Sequence, residues 1–184
     1  MNIVTETFSG KSIVRPDTTF AKAGGEFYVP DGVRSLNVSP VIFSKITRAA
    51  KAVPLRFTPR YFQDFGVGVY LYPDGDDFCD RTSYLPLEMF TDSSDIEHHE
   101  VTLSAGGKEL WSVEMENVMD TIASALAHCT IRTFVRRGDY IVKELADPVV
   151  IFSGHDSISS AGQAAGIVSL SLDGVKIVDI NVIF

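Results

Sequence analysis

The stretch RSLNVSPVIFSKITR, Arg34 to Arg48, decides how the chain is read. Its centre, Val41 to Ile46, is rich in β-branched and aromatic residues and runs out into basic ones, which predicts a buried strand. It holds no carboxylate, no histidine and no cysteine. Outward from it, EFYV (Glu26 to Val29) is bracketed by Gly24-Gly25 and Pro30-Asp31-Gly32, both turn signals, and predicts a strand. Val67 to Tyr72 predicts another. Between them TPRYFQDF, residues 58–65, reads as a short helix with Thr58 as N-cap and Pro59 at the first helical position.

The second half continues the pattern. EVTLS and ELWSVEM predict two strands joined at AGGK by glycines suited to a hairpin. Val118, Ile122, Ala125, Leu126 and Cys129 recur at i, i+4, i+7, i+8 and i+11, the single apolar face of an amphipathic helix. PVVIFS, IVSLSL and VKIVDINVIF close the chain, the last two linked by the two-residue turn Asp173-Gly174. The expectation is one β-rich α+β domain, its few short helices interrupting a largely antiparallel or mixed sheet system.

Composition narrows the function. A chain of 184 residues with 45% hydrophobic content is long enough to bury a full core, about 70% of its unfolded surface. The net charge of −8 argues against nucleic acid, whose binding draws on Lys and Arg. Two cysteines, Cys79 and Cys129, form neither a disulfide framework nor a CxxC knuckle. The start, MNIVTETFSGK, lacks the basic and apolar regions of a signal peptide, and no apolar run reaches the roughly 20 residues of a membrane span. A cytoplasmic domain without membrane attachment is expected.

Several clusters carry chemistry on paper. PDGDDFCD gathers Asp74, Asp76, Asp77 and Asp80, but not at EF-hand spacing, and a solvated acidic turn accounts for it. EHHE (Glu97 to Glu100) lacks the i, i+4 histidines of a helical zinc site and reads as a polar strand entrance. FSGHDS sets Ser153, His155 and Asp156 side by side after an apolar strand. A catalytic triad is defined by spatial geometry, so adjacency in sequence gives it no support. GQAAG (Gly162 to Gly166) falls short of a phosphate-binding loop. Trp111, Phe57, Tyr61, Phe62 and Phe65 fit core or interface positions.

RPDTTFAKAGGEFYVPDG, Arg15 to Gly32, resembles a segment of the fumarylacetoacetate hydrolase family, with a basic-Pro-Asp strand end, a short loop and a strand closing in Pro-Asp. The likeness continues through VPLRFTPRYFQDFGVGV (Val53 to Val69), YLPLEMF, the strand pair at 100–115, the helix after SVEMENVMDTIASAL and FSGHD, all in the family's order. It covers residues 13–184 of a single domain, with residues 1–12 a truncated or divergent segment. The resemblance implies a mixed β-roll core that pairs into a dimer, and hydrolase, decarboxylase or isomerase chemistry on acylpyruvate-type 2-oxo acids.

That chemistry uses Mg²⁺ or Mn²⁺ held by carboxylates. At the positions the resemblance equates with a Glu-x-Glu pair stand Ser39 and Val41, and Tyr70 takes the place of a third acid. The early segment with its catalytic histidine has no counterpart in MNIVTETFSGK, the expected lysine is replaced within DGDDFCD, and the substrate loop's Thr-Pro has become His155-Asp156. The implied protein is a pseudoenzyme without a metal cofactor. It would act as a homodimer, as a heterodimer with a paralogue, through a protein partner, or on a small anionic ligand. The remnant-cleft candidates are Arg15, Tyr70, His155 and Asp156. The other expectation is an enzyme with a site rebuilt around Tyr70, His155 and Asp156.

Overall fold

A computed structural model describes residues 1–74, 79–153 and 164–183, with backbone only for 164 and 165. The strands are β1 (Asn2–Glu6), β2 (Ser12–Pro16), β3 (Phe20–Ala21), β4 (Gly24–Tyr28), β5 (Ser35–Ile46), β6 (Phe62–Pro73), β7 (Ser83–Tyr84), β8 (Glu100–Ala105) and β9 (Lys108–Glu114). After the helix α1 (Val118–Thr130) come β10 (Tyr140–Glu144), β11 (Val149–Ser153), β12 (Ala164–Leu172) and β13 (Val175–Ile183). Two mixed sheets result. The larger runs β2-β1-β10-β5-β6-β7-β3, with β11 pairing β5; the smaller runs β4-β13-β12-β8-β9. The expected β-rich α+β architecture is present.

The stretch around Arg34–Arg48 is the spine of the larger sheet. β5 pairs along its whole length with β6, from Leu36 opposite Pro73 to Ile46 opposite Phe62. On its other side it takes β10 beside Val41–Lys45 and β11 beside Ser35–Val38. Both faces of β5 and β6 are covered, so the two strands read as near-continuous apolar runs without alternation. Leu36, Val38 and Ile42 with Val67, Val69 and Leu71 face the main core, which the second sheet and α1 complete. The alternate residues Val41, Phe43, Tyr70 and Tyr72 face a second buried cluster with Ile3, Leu85, Tyr140 and Val142.

Close strand approach explains the Val67-Gly68-Val69 motif. A Cβ on Gly68 would lie 2.4 Å from the Tyr84 carbonyl of β7, and one on Gly66 would lie 2.4 Å from Cζ of Phe43. Glycine at these two positions lets β7 and the Phe43 ring seat directly on β6.

The hairpin at Gly106-Gly107, the α1 face and the Asp173-Gly174 turn form as the sequence predicts. The helix expected over TPRYFQDF does not. A 3-10 helix spans Leu55–Arg60 with Thr58 inside it, donating its hydroxyl to the Leu55 carbonyl at 2.7 Å. From Phe62 the chain is already strand, and the left-handed Asp64 (φ 58°) is the extra residue of a bulge against Ser44–Lys45. The twelve-residue ladder to β5 overrides the local helix signals. Residues 1–12, expected to be divergent, contribute β1, which lies inside the larger sheet, parallel to β10 and antiparallel to β2. No helix among the described residues is long and apolar enough to cross a membrane.

Candidate functional site

Arg15 is the last residue but one of β2, opposite Ile3 of β1, and Pro16 closes the strand opposite Asn2. Strand pairing swings its side chain under β6, where it is fully buried. One terminal nitrogen, Nη2, donates to Thr82 Oγ1 at 2.7 Å and to the Leu71 carbonyl at 3.2 Å. Nε and Nη1 have no hydrogen-bond partner among the described residues. Aromatic faces stand there instead, with the guanidinium carbon 4.1 Å from the centre of the Tyr70 ring and 4.9 Å from that of Tyr72. Cation–π contact of this kind recovers part of the desolvation cost of a buried guanidinium.

Tyr70 is likewise fully buried, and its phenol hydrogen-bonds the Thr5 hydroxyl of β1 at 2.8 Å. Burial raises its pKa well above the ordinary phenol value, against the opposing pull of Arg15, so it is a neutral side chain. Ser39 lies directly opposite Tyr70 in the β5–β6 ladder and donates its hydroxyl to the Ala146 carbonyl at 2.9 Å. Val41 is buried two residues further along the same face. Arg15, Ser39, Val41 and Tyr70 are therefore brought to one side of the larger sheet.

A buried carboxylate among the described residues does reach this face. Glu144 of β10 stands opposite Val41 and is buried. It accepts the Tyr72 phenol proton and, at 2.8 Å, the backbone N–H of Phe8. Burial and then the Glu144 charge raise the Tyr72 pKa, which keeps that phenol a hydrogen-bond donor. Glu144 and Tyr72 form part of the wall of a shallow pocket of about 200 Å³, with Asn37, Asp147 and Ser9 around its mouth. Sequence reading passed over both residues. Tyr72 shares the Tyr70 face by period two and was within reach of that argument, whereas Glu144 depends on β10, whose apolar run YIV is too short to announce itself.

The residues at the expected ligand positions do not suit a divalent cation. They offer a hydroxyl already donating, an apolar side chain and a neutral phenol, beside a fixed guanidinium charge, where Mg²⁺ or Mn²⁺ would need several anionic oxygens. Among the described residues no group of three or more His, Cys, Asp or Glu is arranged to hold a metal ion.

The remaining candidates separate. His155 and Asp156 lie outside the described residues, as do Asp76, Asp77 and residues 162–163 of GQAAG. Ser153 ends β11 and is exposed. Asp74 caps the start of β5, its carboxylate accepting the backbone N–H groups of Arg34 and Ser35 at 2.9 and 2.7 Å, and Asp80 is exposed. His98 and His99 turn to different acids, Glu114 and Asp173, at the entrance to β8.

No family model matches the sequence, and no curated relative does. Solved structures do match by shape. A protein of Yersinia pestis assigned to the fumarylacetoacetate hydrolase family superposes with TM-score 0.77 at 11% identity, over 99% of this chain and 92% of that one. A 2-hydroxyhepta-2,4-diene-1,7-dioate isomerase of Mycobacterium marinum gives 0.74 at 14% identity, over 99% and 74%. The fumarylpyruvate hydrolase of Pseudomonas aeruginosa, solved with Mn²⁺ and pyruvate, gives 0.73 at 10% identity, over 100% and 90%. The chain thus has the fold of fumarylacetoacetate hydrolase family proteins.

Proposed function

We propose that the chain is a member of this family whose metal-binding cleft has been filled. It acts without the family's reaction, as a dimer with itself or with an active paralogue, through another protein partner, or on a small anionic ligand. The observation that carries this reading is the buried Arg15 guanidinium stacked on Tyr70, on the strand face shared with Ser39 and Val41. A fixed positive charge and a phenol stand where metal binding would call for carboxylates. Close-packed interiors exclude solvent and substrate alike, and the aromatic mass of Tyr70 and Phe43 supplies that packing beneath the pocket at Tyr72.

A second reading is supported by the structural neighbours, which include a hydrolase and an isomerase of related unsaturated acids. In it the chain is a hydrolase, decarboxylase or isomerase of acylpyruvate-type 2-oxo acids, with a rebuilt site around Tyr70, His155 and Asp156. The two readings part in one experiment. Elemental analysis and calorimetry with Mg²⁺ and Mn²⁺ come first, then turnover of fumarylpyruvate with and without each ion. The filled-cleft reading expects no stoichiometric ion and no turnover. Turnover that disappears in His155→Ala would overturn it in favour of the rebuilt site.

A further inference from the structure

Charge in this protein is unevenly placed. Residues 45–60 and 131–138 together hold half of its sixteen Lys and Arg and none of its 24 Asp and Glu, in a chain of net charge −8. The fold lays the two segments side by side. Ala50 and Val135 exchange backbone hydrogen bonds at 2.9 and 3.0 Å, Gly138 N–H donates to Ile46, and Ala52 N–H donates to Thr130. Lys45, Arg48, Lys51, Arg56 and Arg60 are all exposed on the first segment. Arg132, Arg136 and Arg137 are exposed on the second. None of the eight makes an ion pair among the described residues.

Apolar surface is set into this basic end. A groove of about 470 Å³ runs between α1 and the 3-10 helix at Leu55–Arg60, walled by Val53, Leu55, Ala127 and Ile131. Leu55, Ile131 and Phe134 are 55%, 64% and 51% exposed, so this end carries apolar as well as basic surface. The guanidinium carbons of Arg56 and Arg60 lie 4.6 and 5.3 Å from the centre of the Phe57 ring, on the 3-10 helix whose Leu55 walls the groove.

We propose that this end of the molecule docks an acidic segment of a partner protein, whose carboxylates meet the arginines and whose aliphatic side chains fill the groove. Charge complementarity selects the sign of the partner, since like charges would repel and the rest of this chain is itself acidic. The groove selects its kind. Nucleic acid gains its affinity from phosphate neutralisation and would leave an aliphatic cleft unused. A shallow apolar depression beside a helix seats the aliphatic stripe of an amphipathic peptide, whose carboxylates then reach the surrounding arginines. The basic end lies about six residues along β5 from Ser39 and shares no residue with the Arg15–Tyr70 cluster. Docking at this end is therefore independent of whether the cleft is filled.

The test is fluorescence anisotropy of the full chain with a labelled helical peptide of glutamates carrying leucines at i and i+4. Binding is expected, weakened about tenfold or more in the triple variant Arg132→Glu, Arg136→Glu, Arg137→Glu and again in Ile131→Ser. All four positions are exposed, and circular dichroism verifies that the variants fold. Replacing the peptide leucines with serine should cost a similar factor. No binding, or binding indifferent to those serines, overturns the proposal. So does equal or tighter binding of single-stranded DNA or of phosphatidylserine vesicles through the same arginines.

Discussion

The Arg15 guanidinium carbon sits 4.1 Å above the centre of the Tyr70 ring, and neither side chain is exposed to solvent. A buried cation of this kind is a poor source of stability, because its desolvation cost offsets most of what the contacts return. Arg15→Met, which keeps the volume and discards the charge, should leave unfolding free energy within about 1 kcal/mol of the parent. Arg15→Ala leaves a cavity and should lose about 3 kcal/mol. Urea unfolding of the two variants decides it, and equal losses would mean that the charge itself holds the fold.

Tyr70 and Thr5 share one buried hydrogen bond across more than sixty residues of sequence. Tyr70→Phe removes the phenol and strands the Thr5 hydroxyl, so a loss of about 1–2 kcal/mol is expected. Adding Thr5→Val should recover part of it, since both polar partners are then gone. A double-mutant cycle by thermal unfolding checks this, and additive losses would show that the bond is not formed.

Gly68 is expected to tolerate no side chain. Its Cβ would strike the Tyr84 carbonyl and come within 2.9 Å of Leu85 Cδ2, and neither the backbone of β7 nor the packed leucine has room to retreat. Gly68→Ala should cost at least about 2 kcal/mol, read as a lowered midpoint in chemical unfolding. A midpoint unchanged from the parent would put β7 elsewhere.

The Asp173 carboxylate takes a hydrogen bond from His99 and another from the Glu100 backbone, which hold its pKa below the ordinary value. A depressed carboxylate contributes stability above its unfolded pKa and loses it as pH falls through the folded one. Asp173→Asn, which keeps the turn-compatible residue type, should therefore melt lower than the parent at neutral pH. The difference should shrink below about pH 4. Melting temperatures across that range test it, and a gap that persists in acid would assign the loss to turn geometry alone.

Much of this architecture was legible before any coordinates. The 3.6-residue period of Val118, Ile122, Ala125 and Cys129, the Gly106-Gly107 hairpin and the Asp173-Gly174 turn are local devices, and each formed as written. The resemblance carried by Arg15 to Gly32 pointed to the fold that the structural neighbours share. What local patterning could not reveal is what the sheet brings together. Thr5 reaches Tyr70, and Arg15 reaches Leu71 and Thr82, only through β1 and β2, five-residue strands too short to show a period of their own. The helix signals at Thr58-Pro59 reach no further than a 3-10 helix ending at Arg60, because from Phe62 the chain pairs with β5, a partner their window does not contain. Glu144 became the carboxylate of this face because β10 lies beside Val41. The basic end hides inside a net charge of −8, since composition sums over the whole chain and only the Ala50–Val135 pairing places its two halves side by side. Periodicity and turn chemistry act within a few residues and are written in the sequence; strand neighbours, and every contact that depends on them, are settled by the tertiary fold.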